Sequence, residues 1–268
     1  MGISPAEVSA IFLLGLAVGS FLNVCIWRLP VGEQVVQGRS HCRSCGKQIA
    51  WHDNIPLLSF ACLRGRCRHC QAKIPWSYPF VELATGLLLV GVLVRFGWSH
   101  RAVVYGALAA ALLLVSMVDL KEMVLPDEVT LPGTAAGIVL SFFLPELHHA
   151  ASRWSGLWAG VWGAAVGAGG VGLIRAAGSW WLKQEAMGLG DVKLMAMVGS
   201  LIGVWKALLV ILILGPFLGV GVGLVLILRR GYKAIRLHPI PYGPLLALGT
   251  MIAVFWGDGI LEWYLGWF

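Results

Sequence analysis

The run AVVYGALAAALLLVSMV, residues 102–118, contains no charged residue and stops against an acid, Asp119. As a helix rising ~1.5 Å per residue it covers most of the ~30 Å hydrocarbon layer of a bilayer. Comparable apolar segments occupy 7–27, 79–97, 129–147, 154–174, 192–204, 207–228 and 242–263. The one at 192–204 is short, and Gly199 and Gly203 weaken it further. Across all 268 residues, 58% are hydrophobic and only 12% charged, against roughly 25% charged in soluble domains. Disordered, fibrous and secreted disulfide-rich classes are thereby excluded. The expected fold is an all-α polytopic membrane protein of about eight transmembrane helices. Met1 to Glu7 carries no Lys or Arg, and the apolar run after it is too long for a signal-peptide core, so a retained first span is expected.

Basic residues set the expected orientation, because cytosolic loops concentrate Lys and Arg. With both termini outside, segments 28–77, 119–128, 175–193 and 229–238 lie inside and hold 16 of the 20 basic residues. Only Arg95, Arg101, Arg153 and Lys206 remain outside. The formal net charge of +7 therefore reports topology and membrane lipid, not nucleic acid. Trp98, Trp154, Trp205, Trp256, Trp263 and Trp267 fall near the expected outer edges, where an interfacial aromatic belt belongs.

Segment 29–77 breaks the hydrophobic pattern. It is polar, basic and Cys-rich, and it divides the chain into a first transmembrane helix (1–28), a cytosolic insert (29–77) and a transmembrane core (78–268). So small an insert buries too little core to fold by burial alone. Cys42-x-x-Cys45 and Cys67-x-x-Cys70 offer another source of folding energy. Each pair grips one edge of a tetrahedral zinc ion, and structural zinc contributes on the order of 10–16 kcal/mol in small peptides. Gly46 follows one pair and Gly65 precedes the other, where knuckle turns require permissive backbone. A reducing cytosol disfavours the disulfide alternative. Cys25 and Cys62 are expected to be inert buried thiols.

Two aspartates stand out. Asp119 closes the third span in Val118-Asp119-Leu120-Lys121-Glu122-Met123-Val124-Leu125-Pro126-Asp127, and Asp191 opens the sixth in Gly188-Leu189-Gly190-Asp191-Val192-Lys193. Counting spans brings both to the cytosolic boundary. A carboxylate near hydrocarbon costs ~2.5–3.5 kcal/mol on the insertion scale, which invites a functional role. Two facing carboxylates sharing a proton activate water and protonate a leaving amine, the chemistry of aspartic proteases. Gly188 and Gly190 would let backbone or an extended substrate approach Asp191. Helix capping is the competing explanation for Asp191, and for Asp127 after Pro126 it is the favoured one. For Asp119 it fails, since a negative charge at a helix C-terminus opposes the dipole.

Taken together the chain resembles the type IV prepilin peptidases, bifunctional leader peptidase/N-methyltransferases of the GxGD aspartic protease group. The likeness rests on Gly19-Ser20-Phe21-Leu22-Asn23-Val24, Arg28-Leu29-Pro30, Asp53-Asn54-Ile55-Pro56-Leu57-Leu58-Ser59, Arg64-Gly65-Arg66-Cys67-Arg68-His69-Cys70, Tyr78-Pro79-Phe80-Val81-Glu82-Leu83, and the two aspartate motifs. It implies that Asp119 and Asp191 are the catalytic pair, with Gly188, Gly190, Lys193, Pro126 and Asp127 in support. It also implies that Cys42, Cys45, Cys67 and Cys70 bind zinc. The implied reaction removes a short basic leader from a type IV prepilin or a type II secretion pseudopilin at the cytosolic face of the bacterial inner membrane. The released amine is then methylated from S-adenosylmethionine. Arg43 stands where relatives often have Pro in the first Cys pair.

The methyl-donor site is less legible. Gly167-Ala168-Gly169-Gly170-Val171-Gly172 matches GxGxxG but lies inside the fifth span with no strand before it. Small-residue helix packing accounts for it better, as for Gly156-x3-Gly160 and Gly215-x3-Gly219-x3-Gly223. Asn23 and Glu82, at helix ends beside the insert, are the candidates for donor binding. Two alternative functions are a transporter whose intramembrane carboxylates relay protons, and a peptidase lacking methyltransferase activity. The first gives no reason for a metal-stapled insert.

Overall fold

The structure, a computed structural model, describes residues 3–35, 40–185, 187–231 and 241–266. Arg39, Lys233 and Arg236, expected in the cytosol, and Trp267, expected at the interface, lie outside the described residues. Every apolar segment is helical. The helices are α1 Pro5–Arg28, α3 Ser77–Phe96, α4 His100–Glu122, α5 Asp127–Phe143, α6 Arg153–Leu182 and α7 Leu189–Ile202, then α8 Val204–Leu209, α9 Gly215–Arg230 and α10 Gly243–Leu265. A short α2, Leu58–Cys62, lies in the polar insert, and a π-helical turn Val210–Leu214 joins α8 to α9. Among the described residues there is no strand, only the isolated bridges His41–Gln48 and Arg66–Lys73.

Six of these helical stretches are long and apolar enough to cross a membrane: Pro5–Val31, Ser77–Phe96, His100–Glu122, Arg153–Trp181, Val204–Arg229 and Gly243–Tyr264. The remaining two segments form α5, of 17 residues, and α7, of 14. The brevity of α7 follows from Gly203, whose φ of 81° turns the chain out of the helix before α8 begins.

The chain divides into two compact units, residues 1–114 and 115–268, with the boundary inside α4. In the first, α1 lies against α3 with almost nothing between the backbones. A Cβ on Gly15 would come within 2.6 Å of Gly86 Cα, and one on Gly19 within 2.6 Å of Glu82 Cα. This one-turn spacing of small residues is the close-approach device of membrane helices, and it fixes where Glu82 stands.

In the second unit α6 presents its own small-residue stripe. A Cβ on Gly160 would overlap the Ser141 hydroxyl of α5, one on Gly163 the Gly199 carbonyl, and one on Gly167 the Met195 carbonyl of α7. The packing role expected of Gly156-x3-Gly160 holds. The GxGxxG run is uninterrupted α6, and Gly169 and Gly172 face nothing within 4 Å. Of the 215–219–223 series, Gly215 and Gly219 lie against Tyr242, while Gly223 meets nothing.

Candidate active site and metal centre

The four insert cysteines stand on two matching knuckles. Cys42 N–H donates to the Lys47 carbonyl at 2.8 Å and Gly46 N–H to Cys42 at 2.8 Å; Cys67 N–H donates to Ala72 at 2.9 Å and Gln71 N–H to Cys67 at 3.0 Å. The residue after each second cysteine is left-handed, Gly46 at φ 69° and Gln71 at φ 60°. Four Sγ atoms result, all within 4.8 Å of one another, with Cys42 and Cys70 at 3.8 Å. A tetrahedron of ~2.3 Å Zn–S bonds has S···S edges of ~3.8 Å, so the donor set fits zinc. The same spacing excludes a disulfide, whose sulfurs sit ~2.05 Å apart. Backbone N–H groups of Cys45, and then Ser44, help pull the Cys42 thiol down to about 6, toward the ligating thiolate. Cys25 is buried as expected; Cys62 is exposed, a correction that follows from its place on the short α2 of an insert with little core. Asp53 accepts a bidentate pair from Arg68 at 2.7 and 2.6 Å, which ties the second knuckle to the 51–54 turn and holds the Asp53 carboxyl below its ordinary range.

In the second unit Asp119 and Asp191 are each only 6% exposed. They come from the last turn of α4 and the first turn of α7. Asp119 opposes the dipole of its own helix, as its sequence position implies. The opposition is relieved from elsewhere: the Gly243 N–H at the start of α10 donates to Asp119 Oδ2 at 3.0 Å, so the carboxylate faces the positive end of another helix. A Cβ at Gly243 would stand 2.7 Å from that oxygen.

Asp191 is not the N-cap residue. Gly188 holds the N-cap position of α7, and Asp191 sits three residues inside, its Oδ1 buried without a partner. Asp127 is not a cap either, which corrects the favoured expectation. Pro126 occupies the N-cap of α5, and Asp127, the first helical residue, accepts from Lys193 Nζ at 2.8 and 2.7 Å. That ion pair joins the start of α5 to the first turns of α7 and so brings the two aspartate motifs together. Leu125 completes the join: a Cβ at Gly190 would be 2.7 Å from Leu125 Cβ, and one at Gly243 would be 3.2 Å from Leu125 Cδ2. Gly190 is therefore small because Leu125 fills the space beside it. Gly188 has no such neighbour; a Cβ there would meet Asp191 Oδ2 at 3.5 Å and the Gly190 nitrogen at 3.8 Å, both ordinary contacts.

Gly243, Tyr242 and Leu125 were not legible as site residues. A Pro-Tyr-Gly-Pro run at 241–244 opening the last apolar segment is the one signal that marks a helix start there. Glu82 is 8% exposed, and its Oε2 accepts from Leu57 N–H at 2.9 Å; Asn23 Nδ2 donates to the Tyr78 carbonyl at 3.1 Å. Both donor-site candidates stand in the first unit with the cysteines.

A transmembrane helical chain with two buried carboxylates, whose motifs are joined by the Lys193–Asp127 pair and by Leu125, fits the membrane aspartic peptidase class. Two family models match, the bacterial peptidase A24 N-terminal domain over residues 13–96 and the type IV leader peptidase family over 106–224. The chain is 36% identical to the prepilin leader peptidase/N-methyltransferase of Aeromonas hydrophila, over 96% of this chain and 93% of that protein. It is likewise 36% identical to the protein of the same description from Stutzerimonas stutzeri, over 97% and 94%. The Myxococcus xanthus protein is 41% identical over 85% of this chain and 65% of its own length. No solved structure matches. The chain belongs to the type IV leader peptidase family, a membership that removes the transporter alternative.

Proposed function

We propose that this enzyme cleaves the leader from type IV prepilins or type II secretion pseudopilins and then N-methylates the new terminus. Asp119 and Asp191 form the catalytic pair. One carboxylate takes a proton from the attacking water while the other, protonated, supports the carbonyl oxygen and later passes its proton to the leaving amine. The observation that carries this reading is the pair itself: two buried acids on different helices, one held by the Gly243 N–H, the other with Oδ1 free to meet a reactant. Lys193 and Asp127 hold the two motifs in register, and Gly188, Gly190 and Pro126 shape the first turns that carry them.

The Cys42, Cys45, Cys67 and Cys70 set holds a structural zinc ion within the insert 29–77, which serves methylation, while 78–268 forms the peptidase core after the first helix 1–28. S-adenosylmethionine, as methyl donor, supplies an electrophilic methyl group on a sulfonium that departs as a neutral thioether. The basic-residue bias supports an inner-membrane protein with both termini periplasmic and the site facing the cytosol.

Purified Asp191→Asn tests the catalytic assignment. Asn retains the hydrogen-bonding shape at the helix start but no longer accepts a proton, so the fold is retained and cleavage of a prepilin peptide falls by about 100-fold or more. Cleavage at the wild-type rate refutes it.

A further inference from the structure

Residues 54–62 belong to the polar insert, yet they read Asn-Ile-Pro-Leu-Leu-Ser-Phe-Ala-Cys, without a charge. Leu57 is the centre of a tight γ-like turn, at φ 60° and ψ −47°, with Leu58 N–H donating to the Pro56 carbonyl at 2.6 Å. The turn presents Leu57 N–H to Glu82 Oε2 at 2.9 Å. Glu82 is level with Gly19, where a Cβ would come 2.6 Å from Glu82 Cα. Gly19 lies nine residues, ~13 Å, inside the end of α1 at Arg28. The Glu82 side chain leans toward the start of α3 and recovers only part of that depth. Leu57 therefore stands inward of Arg28, at the edge of the layer that α1 and α3 cross.

Irregular backbone at such depth persists only where the protein satisfies its polar groups. Here it does. Ile55 N–H donates to Ser59 Oγ at 2.9 Å, Pro56 has no N–H, Leu57 N–H goes to Glu82, Leu58 N–H to Pro56, and Ser59 N–H to the Ile55 carbonyl at 3.0 Å. Ser59 Oγ donates in turn to the His52 carbonyl at 2.9 Å. The side chains point the same way. Leu58 is 63% exposed. The Phe60 ring lies 5.0 Å from that of Trp76, which sets α2 beside the start of α3. Trp76, Phe80, Leu83 and Leu87 recur at helical spacing and are all exposed, which makes them a lipid-facing stripe. Exposed Arg64 and Arg66 follow α2 directly.

We infer that residues 54–62 form a membrane anchor of the zinc insert. Leu58 enters the headgroup and acyl boundary of one leaflet beside Trp76 and Phe80, and Arg64 and Arg66 meet its anionic headgroups, the pairing of apolar tip and basic flank that holds a segment in the interface. A knuckle domain standing free in water would leave Leu58 and Trp76 solvated and gives no reason for a turn whose N–H groups are all met from within. The anchor extends the lipid-facing stripe of α3 into the insert and holds the cysteine knuckles at the membrane surface, where a substrate embedded in the bilayer presents its cut end. The inference rests on the membrane crossing of α1 and α3 and not on the chemistry of either site; that the leaflet is the cytosolic one rests on the orientation proposed above.

The test is fluorescence quenching of the full-length, zinc-loaded enzyme in nanodiscs of phosphatidylcholine and phosphatidylglycerol. In a Cys62→Ser background Cys25 is buried and the other four cysteines hold zinc, so a thiol-reactive fluorophore goes to an introduced cysteine. Leu58→Cys probes the anchor, and Glu33→Cys, exposed beyond the end of α1, is the aqueous reference. A nitroxide high on the acyl chain should quench the label at 58 more than the label at 33 by about threefold or more, and iodide in the buffer should quench it less by a similar factor. A label at 58 that iodide reaches as readily as the one at 33 overturns the anchor. Should the Leu58→Cys protein hold less than one zinc per chain, the same label on Ile55→Cys decides by the same criterion. Both faces of a nanodisc are open to solvent, so an error in the proposed orientation would leave this outcome unchanged.

Discussion

Replacing Gly243 by Ala adds one methyl group at the place where α10 meets Asp119. The new Cβ would lie 2.7 Å from Asp119 Oδ2 and 3.2 Å from Leu125 Cδ2, whereas an ordinary carbon–oxygen contact is ~3.3–3.6 Å. Either the carboxylate or the start of α10 must then retreat by about half an ångström or more. The 3.0 Å bond from Gly243 N–H to Asp119 is thereby stretched or lost. A hydrogen bond to a charged group contributes ~1.5–3 kcal/mol, and each ~1.4 kcal/mol of barrier is tenfold in rate. Cleavage should fall roughly 10- to 100-fold in kcat, with a smaller change in KM because the contact is to a reacting group and not to the leader. Single-turnover cleavage of a prepilin peptide gives the rate, while zinc content reports the first unit. A Gly243→Ala enzyme that cleaves within twofold of wild type would refute the role given to this N–H.

Gly190→Ala places its methyl against Leu125 and should cost ~1–3 kcal/mol as overpacking; adding Leu125→Ala should restore part of the stability, and a lack of coupling in the thermal-unfolding cycle contradicts the contact. Breaking the exposed Lys193–Asp127 pair with Lys193→Met should change stability by less than about 1 kcal/mol yet lower cleavage more than it lowers the melting temperature, because the pair registers the two motifs. Glu122→Lys with Glu128→Lys replaces exposed acids near the dyad and should raise KM for basic-leader substrates at low salt, an effect that 0.5 M salt abolishes. Stripping zinc with a chelator should unfold the insert that the four cysteines staple, while cleavage by the second unit persists.

Local physics made much of this molecule legible. Long apolar runs marked the six helices that can cross a membrane and the shorter α5 and α7, though not eight spans, and the Cys-x-x-Cys spacing marked the metal cluster. The two acids were conspicuous because each interrupts an apolar boundary at an energetic cost. What stayed hidden is what the chain brings from a distance. Asp119 reads alone as a charge against its helix dipole, and the relief comes from Gly243, a residue 124 positions away. Asp127 has every local mark of a cap, yet it pairs with Lys193 in a different helix. Gly15 and Gly19 look like routine apolar-helix residues until α3 is laid across them at Gly86 and Glu82. Composition and period govern single elements, whereas these contacts depend on which helices become neighbours.

Leu125 touches the positions of both Gly190 and Gly243, and this makes three sites on separate stretches of chain answerable to one side chain. None of them is free to drift alone: a bulkier residue at either glycine demands a smaller one at 125, and a smaller residue at 125 opens room that only a change at a glycine refills. Across descendants of this enzyme such positions should vary as a set or hold still as a set, so a redesign of the peptidase half has to treat them as one unit of choice.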